Sequence, residues 1–310
     1  MGVGLALLWL AGQSASTAGA QGQILRDNHV YHSGIELTSI NATVRDADGR
    51  LVSGLTREAF EIFEDGDPQE ITQFTSERVP ISLGVLFDSS DSMFGRRIKD
   101  ARAAVERFLF DLLDADDEYF VMTFNHHPRL MTSWTSTPDV VRQLLAGVKP
   151  MGGTAAYDAV IASLPMFARR ARERAALVII SDGADTASDA TLRDVHAALA
   201  RSDVFVYAIA IDSPESQPIN TRVNPTSLRE ITDASGGRTE IVRSSEELAD
   251  ATARIAEELN QQYLLAYTSR HSADGRYHSL RVRVTGTDYR VRARSGYVAT
   301  PVPPSRAPNP

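Results

Sequence analysis

The sequence predicts an α/β fold: a doubly wound, mostly parallel sheet with a smaller β domain formed by the segments on either side of it. Two observations predict this arrangement. Between residues 79 and 260, apolar runs typical of buried strands alternate with stretches of helical periodicity, as expected of repeated βα units. Residues 31–77 and 262–299 contain short extended runs separated by turns. Each flank is too short to form a stable sheet alone, so we expect the two flanks to pair.

The first twenty residues have the features of a secretory signal peptide. They carry no charge, residues 5–11 form a short apolar run, and Ala18-Gly19-Ala20 has the small-residue pattern of a cleavage site. The basic segment that usually precedes the apolar run is absent, so a plain disordered tail is the alternative. No later segment approaches ~18 consecutive apolar residues, so we expect no transmembrane helix in the mature chain and a secreted or periplasmic location.

Residues 31–77 are predicted to form the first part of the β domain. An extended segment begins at Ile35 and continues to Val44 with partial alternation of apolar and polar residues. Turns follow at residues 46–49 and 65–68, because their Asp and Gly residues tolerate tight-turn dihedral angles. Both turns superficially resemble calcium loops, but they lack the full loop and its closing Glu, so we interpret them as turns.

The central region, residues 79–260, supplies the strands and helices of the parallel sheet. Its predicted strands lie at residues 81–87, 119–124, 176–180, 204–211 and 237–242, the last at the sheet edge. Its predicted helices lie near residues 98–112, 140–148, 157–170, 192–199, 227–235 and 244–259. We expect Pro165 to interrupt the third helix, because proline lacks an N–H and clashes with the preceding turn.

Residues 262–299 return to strands. Leu280, Val282 and Val284 alternate with arginines, and the same alternation recurs over residues 289–294. This pattern predicts an antiparallel hairpin with one apolar face and one basic face. The basic face has the charge to bind polyanions, but in an acidic chain it is better explained as a solvated sheet face. Residues 300–310 are proline-rich and are predicted to be disordered.

The composition excludes several classes of function. The net charge is −8, from 32 basic and 40 acidic residues, which disfavours binding to nucleic acid and is compatible with cation binding. The chain has no cysteine, so disulfides, thiolate zinc sites and iron–sulfur clusters are excluded. It has neither a Gly-x-Ser-x-Gly nucleophile motif nor a phosphate-binding Gly-x-x-x-x-Gly-Lys loop. The sequence therefore offers little support for an enzyme.

A cluster of oxygen-bearing side chains follows the first strand of the central region. Asp88, Ser90 and Ser92 come directly after residues 81–87, and ligands of a doubly wound sheet bind outside the carboxyl ends of its strands. One carboxylate and two hydroxyls are hard ligands that suit Mg²⁺, Mn²⁺ or Ca²⁺. Taken alone, the motif is also typical of a helix N-cap, because Asp and Ser are common there.

Two further oxygen ligands are available in loops that we expect at the same edge. Thr154 follows two glycines ahead of a helix, and Asp182 follows the strand at residues 176–180. The pattern Asp-x-Ser-x-Ser, a separate Thr, and Asp-Gly after a buried strand resembles the metal-ion-dependent adhesion site of von Willebrand factor type A domains. Its order and context match over residues 79–260. The flanks are similar to those of a family of secreted bacterial proteins related to von Willebrand factor A.

The resemblance implies a metal centre formed by Asp88, Ser90, Ser92, Thr154 and Asp182. It implies a bound Mg²⁺ or Mn²⁺ ion, with Ca²⁺ as the alternative. It also implies an open coordination position that accepts an Asp or Glu carboxylate from a partner protein. The function it implies is that of a non-catalytic, metal-dependent protein-binding module in the cell envelope.

Several alternatives stay open. Asp91 stands where many members of the family have Gly, and its negative charge would either tighten metal binding or discourage a carboxylate ligand. In a purely structural module, the ion would only brace loops. A phosphatase with Asp88 as nucleophile is the enzyme alternative, but Ser90 stands where such enzymes usually have a second acid. Adjacent residues point apart, so His126 and His127 are better explained as solvated than as a metal pair.

Overall fold

Strands and helices alternate through the centre of the chain, and strands predominate at both ends. The computed structural model describes residues 37–183, 185–212, 225–271, 274–286 and 288–299. Its strands are β1 (Leu37–Arg45), β2 (Phe60–Glu64), β3 (Asp67–Gln69), β4 (Ile71–Thr75), β5 (Ile81–Asp88), β6 (Glu118–Phe124), β7 (Pro128–Thr135), β8 (Arg174–Ser181), β9 (Phe205–Ile211), β10 (Thr239–Val242), β11 (Tyr263–Thr268), β12 (Tyr277–Val284), β13 (Arg290–Arg292) and β14 (Gly296–Val298). Its α-helices are α1 (Arg96–Arg107), α2 (Pro138–Ala146), α3 (Ala156–Ser163), α4 (Leu192–Leu199), α5 (Pro225–Ser235) and α6 (Ser245–Asn260). The predicted signal peptide at residues 1–20 and the predicted tail at 300–310 lie outside the described residues.

Six strands form the central sheet, in the order β10-β9-β8-β5-β6-β7. The first five in this order run parallel, and β7 pairs antiparallel with β6. Every residue of β5, β8 and β9 is buried, because helices cover both faces of the sheet and pack their apolar residues against it. The predicted α/β class with a mostly parallel sheet is confirmed.

The strand order determines where a ligand can bind. β5 lies between β6 and β8, so the chain first extends the sheet on one side of β5 and later continues on the other. In sheets of this kind, ligands bind at the carboxyl ends of the strands where the direction of winding reverses. The register places Phe87 beside Ile180. The loops that follow β5 and β8 therefore leave the sheet side by side.

The two flanks pair with each other to form a smaller β domain, as predicted. β1 pairs with β11 and β13, and β2 pairs with β12. The result is two four-stranded sheets, ordered β13-β1-β11-β4 and β14-β12-β2-β3. Their apolar residues form one shared core. Each sheet takes strands from both ends of the chain, so neither flank completes a sheet alone.

The hairpin predicted within residues 262–299 is wrong. The two strands expected to pair lie in different sheets, since β12 pairs with β2 and β14 whereas β13 pairs with β1. Alternation of apolar residues shows only which face of a strand points inward. Because both sheets face one core, strands of either sheet have the same pattern, and the pattern does not identify the partner.

Three local features qualify the predicted elements. β7 was not predicted, because this edge strand is partly exposed along its length and lacks a clean alternation. The helix predicted over residues 98–112 ends earlier, since α1 stops at Arg107 and one turn of π-helix follows over Phe108–Leu112. The interruption at Pro165 is confirmed, since α3 ends before it and a 3-10 turn covers Leu164–Arg169. Among the described residues, no helix has the length and apolar character needed to cross a membrane.

Candidate metal centre

Asp88 ends β5 and lies fully buried at the carboxyl edge of the central sheet. Its Oδ1 atom accepts a hydrogen bond from the backbone N–H of Ser90 at 2.8 Å. Its Oδ2 atom accepts one from the hydroxyl of Ser181, the last residue of β8, at 2.5 Å. Because each carboxylate oxygen can accept more than one such contact, Asp88 is fixed in orientation and still has lone pairs for a cation.

The surroundings of Asp88 disfavour its charged form. Burial, and after it the negative charge of Asp182, raise the pKa of the Asp88 carboxyl to about 7, although hydrogen bonds from Ser181 and Ser90 act in the opposite direction. A buried carboxylate near a second one is costly unless a positive charge compensates it. A divalent cation bound here would supply that charge.

The hydroxyls of Ser90 and Ser92 face each other in the loop that follows Asp88. Their Oγ atoms are 3.0 Å apart. At this distance one hydroxyl donates a hydrogen bond to the other, and both oxygens keep lone pairs for a hard cation.

The loop that carries Thr154 is fastened to the loop after β5. The N–H of Met151 donates to the carbonyl oxygen of Ser89 at 2.8 Å, and the N–H of Asp91 donates to that of Gly152 at 2.9 Å. Thr154 follows in the same loop and is buried. These backbone contacts hold the two loops together at the edge of the sheet without help from a ligand.

Gly152 is required by the packing of this loop. Its φ is +79°, a region that L side chains rarely adopt, and a Cβ atom there would lie 2.5 Å from the ring of His126. The same ring accepts a hydrogen bond from the N–H of Gly153 at 3.2 Å. His126 therefore supports the loop that carries Thr154.

Asp182 directly follows β8, and its buried carboxylate is paired with an arginine. Its Oδ2 atom lies 3.0 Å from Nη1 of Arg97, in the first turn of α1, and both side chains are almost fully buried. The same Nη1 donates to the backbone oxygen of Ser92 at 3.1 Å. Arg97 therefore joins the loops after β5 and β8, and its charge offsets part of the negative charge at the centre.

Comparison with known proteins identifies the fold of this region. Residues 83–184 match the von Willebrand factor type A domain family. The chain contains a von Willebrand factor type A domain. Domains of this family often bind a divalent metal. The matched segment of the A domain includes the candidate centre from Asp88 to Asp182.

Similar solved structures include proteins from three organisms. The conserved hypothetical protein BatB of Bacteroides thetaiotaomicron is 20% identical over 58% of this chain and 97% of its own, with a TM-score of 0.48. A von Willebrand factor type A protein of Catenulispora acidiphila is 14% identical over 87% of this chain and 76% of its own, with a TM-score of 0.49. The corresponding domain of the type V pili tip protein Mfa5 of Porphyromonas gingivalis is 14% identical over 59% of this chain and 96% of its own, with a TM-score of 0.46. No curated protein matches the chain.

The A domain places all five predicted ligands in loops at the carboxyl edge of its sheet or at the end of a strand that reaches it. They are Asp88, Ser90, Ser92, Thr154 and Asp182. The two serines contact Asp88 or each other through the hydrogen bonds described above. Thr154 is linked to them through the backbone of its loop, and Asp182 through Arg97. We call these five residues the oxygen centre.

Arg97 is a residue of the oxygen centre's surroundings that the sequence prediction missed. Basic residues are unfavourable in the first turn of a helix, because the helix dipole is positive there. The α1 helix nevertheless begins with Arg96 and Arg97, and it has no acidic residue in its first turn. Two arginines at that position, close after Asp88 and Asp91, indicate that at least one of them pairs with acidic groups near the loop.

The surface next to the oxygen centre is apolar at two points. Phe94 lies two residues beyond Ser92 and is 67% exposed, and Met151 lies in the Thr154 loop and is 62% exposed. These are the highest values among the large hydrophobic side chains of the described residues. Asp91 is also exposed, so its charge lies at the surface rather than in the buried part of the centre.

Proposed function

We propose that this protein is a non-catalytic protein-binding module that binds a carboxylate of its partner through a divalent cation. The cation is Mg²⁺ or Mn²⁺, and Asp88, Ser90, Ser92, Thr154 and Asp182 would hold it. The observation that carries the proposal is the pair of serine hydroxyls 3.0 Å apart, directly after a buried Asp88. Bound there, the ion would supply positive charge at the edge of the sheet, where an Asp or Glu side chain of another protein can reach it.

The charges around the oxygen centre favour a cation. Asp88 and Asp182 are both buried, and burial together with the nearby charge of Asp182 raises the pKa of Asp88. Arg97 compensates Asp182 directly, since it contacts that carboxylate. A second positive charge beside Asp88 is therefore the simplest way to stabilise both carboxylates in their ionised forms.

The exposed side chains beside the oxygen centre favour a protein as the partner. Phe94 and Met151 lie on the two loops that the backbone hydrogen bonds hold together. Aromatic residues and methionine are enriched in protein interfaces, and apolar contacts around a charge-assisted one exclude water from it. A partner segment that places apolar residues next to an Asp or Glu fits this surface best.

A location in the cell envelope, secreted or periplasmic, completes the proposal. Its support is the signal-peptide pattern of residues 1–20 and the resemblance of the flanks to secreted proteins. The enzyme alternative is weaker, because Ser90 stands where a phosphatase with Asp88 as nucleophile would have its second acid.

The proposal is tested by cross-linking capture of partners from an envelope extract, with and without EDTA. The bait proteins are the wild type, the Ser90→Ala/Ser92→Ala variant and a control variant, Ser39→Ala/Ser53→Ala, whose two serines are exposed in the β domain. We expect the wild type and the control to capture the same set of proteins. Capture of these proteins should be lost in EDTA and with the Ser90→Ala/Ser92→Ala variant. A Phe94→Ser/Met151→Ser variant should bind the metal normally and capture less of the same proteins.

Two results would contradict this function. Capture that is unaffected by EDTA and by loss of the two serines would favour a structural module in which the ion only braces loops. Metal-dependent hydrolysis of a phosphate ester by the wild type, lost in the Asp88→Asn variant, would favour the enzyme.

A further inference from the structure

Four side chains of the β domain, outside the A domain, form what we call the histidine–aspartate cluster: Asp65, His271, Asp274 and His278. Asp65 follows β2, His271 follows β11, and His278 belongs to β12. These three residues each place one potential ligand atom within 4.8 Å of the other two. The pairing of β2 with β12, and a hydrogen bond from the N–H of Asp65 to the carbonyl oxygen of Ser279 at 3.0 Å, hold Asp65 next to His278 and give the cluster a rigid base.

Both nitrogens of His278 face carboxylates. Nδ1 lies 2.7 Å from Oδ2 of Asp65, and Nε2 lies 3.1 Å from Oδ1 of Asp274. The other oxygen of Asp65 accepts hydrogen bonds from the N–H and the hydroxyl of Ser279 at 2.8 and 3.1 Å. Oδ2 of Asp65 is therefore directed at His278, whose own side chain is only 5% exposed.

His271 covers the open side of the buried imidazole. Its ring stacks on that of His278, with centroids 4.7 Å apart and an angle of 15° between the planes. Its backbone N–H donates to the hydroxyl oxygen of Ser269 at 3.1 Å, and that hydroxyl donates to the buried Glu64 at 2.9 Å. The backbone of His271 is thus anchored, and the residue is exposed to solvent.

We propose that the histidine–aspartate cluster is a second metal site, for a borderline transition-metal ion such as Zn²⁺. Asp65, His271 and His278 are its ligands, and Asp274 orients His278. Imidazole nitrogens with one carboxylate are a ligand set that Zn²⁺ favours, and three protein ligands leave its fourth position open. A metal-bound histidine usually donates its other N–H to a carboxylate, which is the position of Asp274 relative to Nε2 of His278.

The geometry requires small movements to accept the ion. Ligand atoms around tetrahedral Zn²⁺ lie about 3.3 Å apart, so the 2.7 Å contact between His278 and Asp65 has to open slightly. The ion takes the place of the proton on Nδ1, and that proton is released to solvent. The His271 ring turns out of its stack toward the ion. Asp65 and His271 are both exposed, so neither movement disturbs the core of the β domain.

The ligand chemistry separates this site from the oxygen centre. Mg²⁺ binds oxygen ligands and seldom imidazole, whereas Zn²⁺ binds imidazole strongly. Excess Mg²⁺ should fill the oxygen centre and leave the histidine–aspartate cluster available. The two sites can therefore be examined separately in one protein.

The test is titration of the untagged full chain with Zn²⁺, and separately with Co²⁺, in excess Mg²⁺. Calorimetry reports Zn²⁺ affinity, and the visible absorption of Co²⁺ reports its coordination by nitrogen and oxygen ligands. The variants are His271→Ala, Asp274→Asn and a matched control, His127→Ala, whose exposed histidine lies in the A domain. Because His271 is exposed, its replacement should leave the fold intact.

We expect one Zn²⁺ per chain in the wild type and in the control. His271→Ala should weaken Zn²⁺ binding at least about 10-fold and reduce the Co²⁺ absorption, and Asp274→Asn should weaken binding about 10-fold. Equal Zn²⁺ affinity of the wild type and the His271→Ala variant would overturn the proposal. So would the absence of Zn²⁺ binding by the wild type, which would make the cluster an ion pair only.

Discussion

The oxygen centre of the A domain and the histidine–aspartate cluster of the β domain collect their side chains in different ways. The oxygen centre takes three of its five residues from one short stretch, residues 88–92, and the others from loops at the same sheet edge. The cluster joins Asp65 to His278, 213 positions further along the chain. A local sequence motif and the topology of the parallel sheet are enough to predict the oxygen centre. The histidine–aspartate cluster can be recognised only when the pairing of the two flanks is known.

The two groups also differ in burial, and this difference predicts how each responds to mutation. Asp182 and Arg97 form a buried ion pair beside the oxygen centre, so loss of Arg97 leaves a charge without compensation inside the protein. Asp65 and His271 are exposed, so water can solvate a charge that a mutation there leaves unpaired. Loss of Arg97 should therefore reduce stability as well as metal affinity, and mutations at the exposed members of the cluster should reduce metal affinity alone.

The largest effect is expected from Arg97→Gln, which breaks the buried ion pair with Asp182. The metal-free variant should lose about 3–5 kcal/mol of unfolding free energy, because Asp182 keeps its charge in a buried position. The control is Arg96→Gln, since Arg96 is half-exposed and its pair with Asp100 should contribute at most about 1 kcal/mol. Urea unfolding in EDTA measures both. Equal losses in the two variants would show that the buried pair has no special role.

The next effect is a pH dependence that belongs to Asp88. Burial and the charge of Asp182 raise its pKa from 3.8 to about 7 in the folded, metal-free protein. The folded state therefore binds this proton more tightly than the unfolded chain does. The resulting stability is fully present below about pH 4 and is lost as the pH rises to about 7, by up to about 4 kcal/mol.

Comparison with Asp88→Asn in EDTA isolates this contribution. Burial lowers the pKa of His278, but Asp65 and Asp274 outweigh burial and raise it, so His278 also contributes stability that is lost as the pH rises. Because both proteins contain His278, its contribution cancels in their difference. The stability of the wild type relative to the variant should fall between about pH 4 and about pH 7 and level off above that. A constant difference over that range would contradict the assignment to Asp88.

A smaller effect is expected from Gly152→Ala. The new side chain would require a positive φ and would meet His126, so the variant should lose about 1–3 kcal/mol and bind Mg²⁺ more weakly as the Thr154 loop shifts. Gly147→Ala is the control, because Gly147 has a φ of −82° and a Cβ atom there would lie 3.6 Å from its nearest neighbour. Thermal unfolding and calorimetry measure the two quantities. Equal changes in stability and in Mg²⁺ affinity in both variants would mean that the conformation of the Gly152 loop is unimportant.

The sequence was sufficient for the parallel strands of the central sheet because those strands have a simple pattern. β5 and β8 are buried on both faces, and such strands appear as continuous apolar runs. The polar residues that end these runs then lie at one edge by the geometry of parallel strands. The fold class is confirmed on these grounds, whereas the five metal ligands stay a prediction until metal binding is measured.

The features that were missed depend on contacts between distant residues. β7 lies at a sheet edge and is partly exposed, so burial leaves no alternation in its sequence. The partners of β12 and β13 depend on which strands share a sheet, which the apolar pattern of a sandwich does not specify. Arg97 belongs to no metal-binding motif, and its role appears only when α1 is placed against the loop after β8.

The most direct test of the account is calorimetric titration of the metal-free protein with Mg²⁺. The central claim is that the oxygen centre binds one divalent cation through Asp88 and the paired serines. We predict one Mg²⁺ per chain for the wild type and for Asp48→Ala, a control that removes an exposed acid of the β domain. Asp88→Ala, shown by thermal unfolding to be folded, should bind at least about 100-fold more weakly, a loss of about 2.7 kcal/mol. Equal Mg²⁺ affinity in Asp88→Ala and the wild type would contradict the claim.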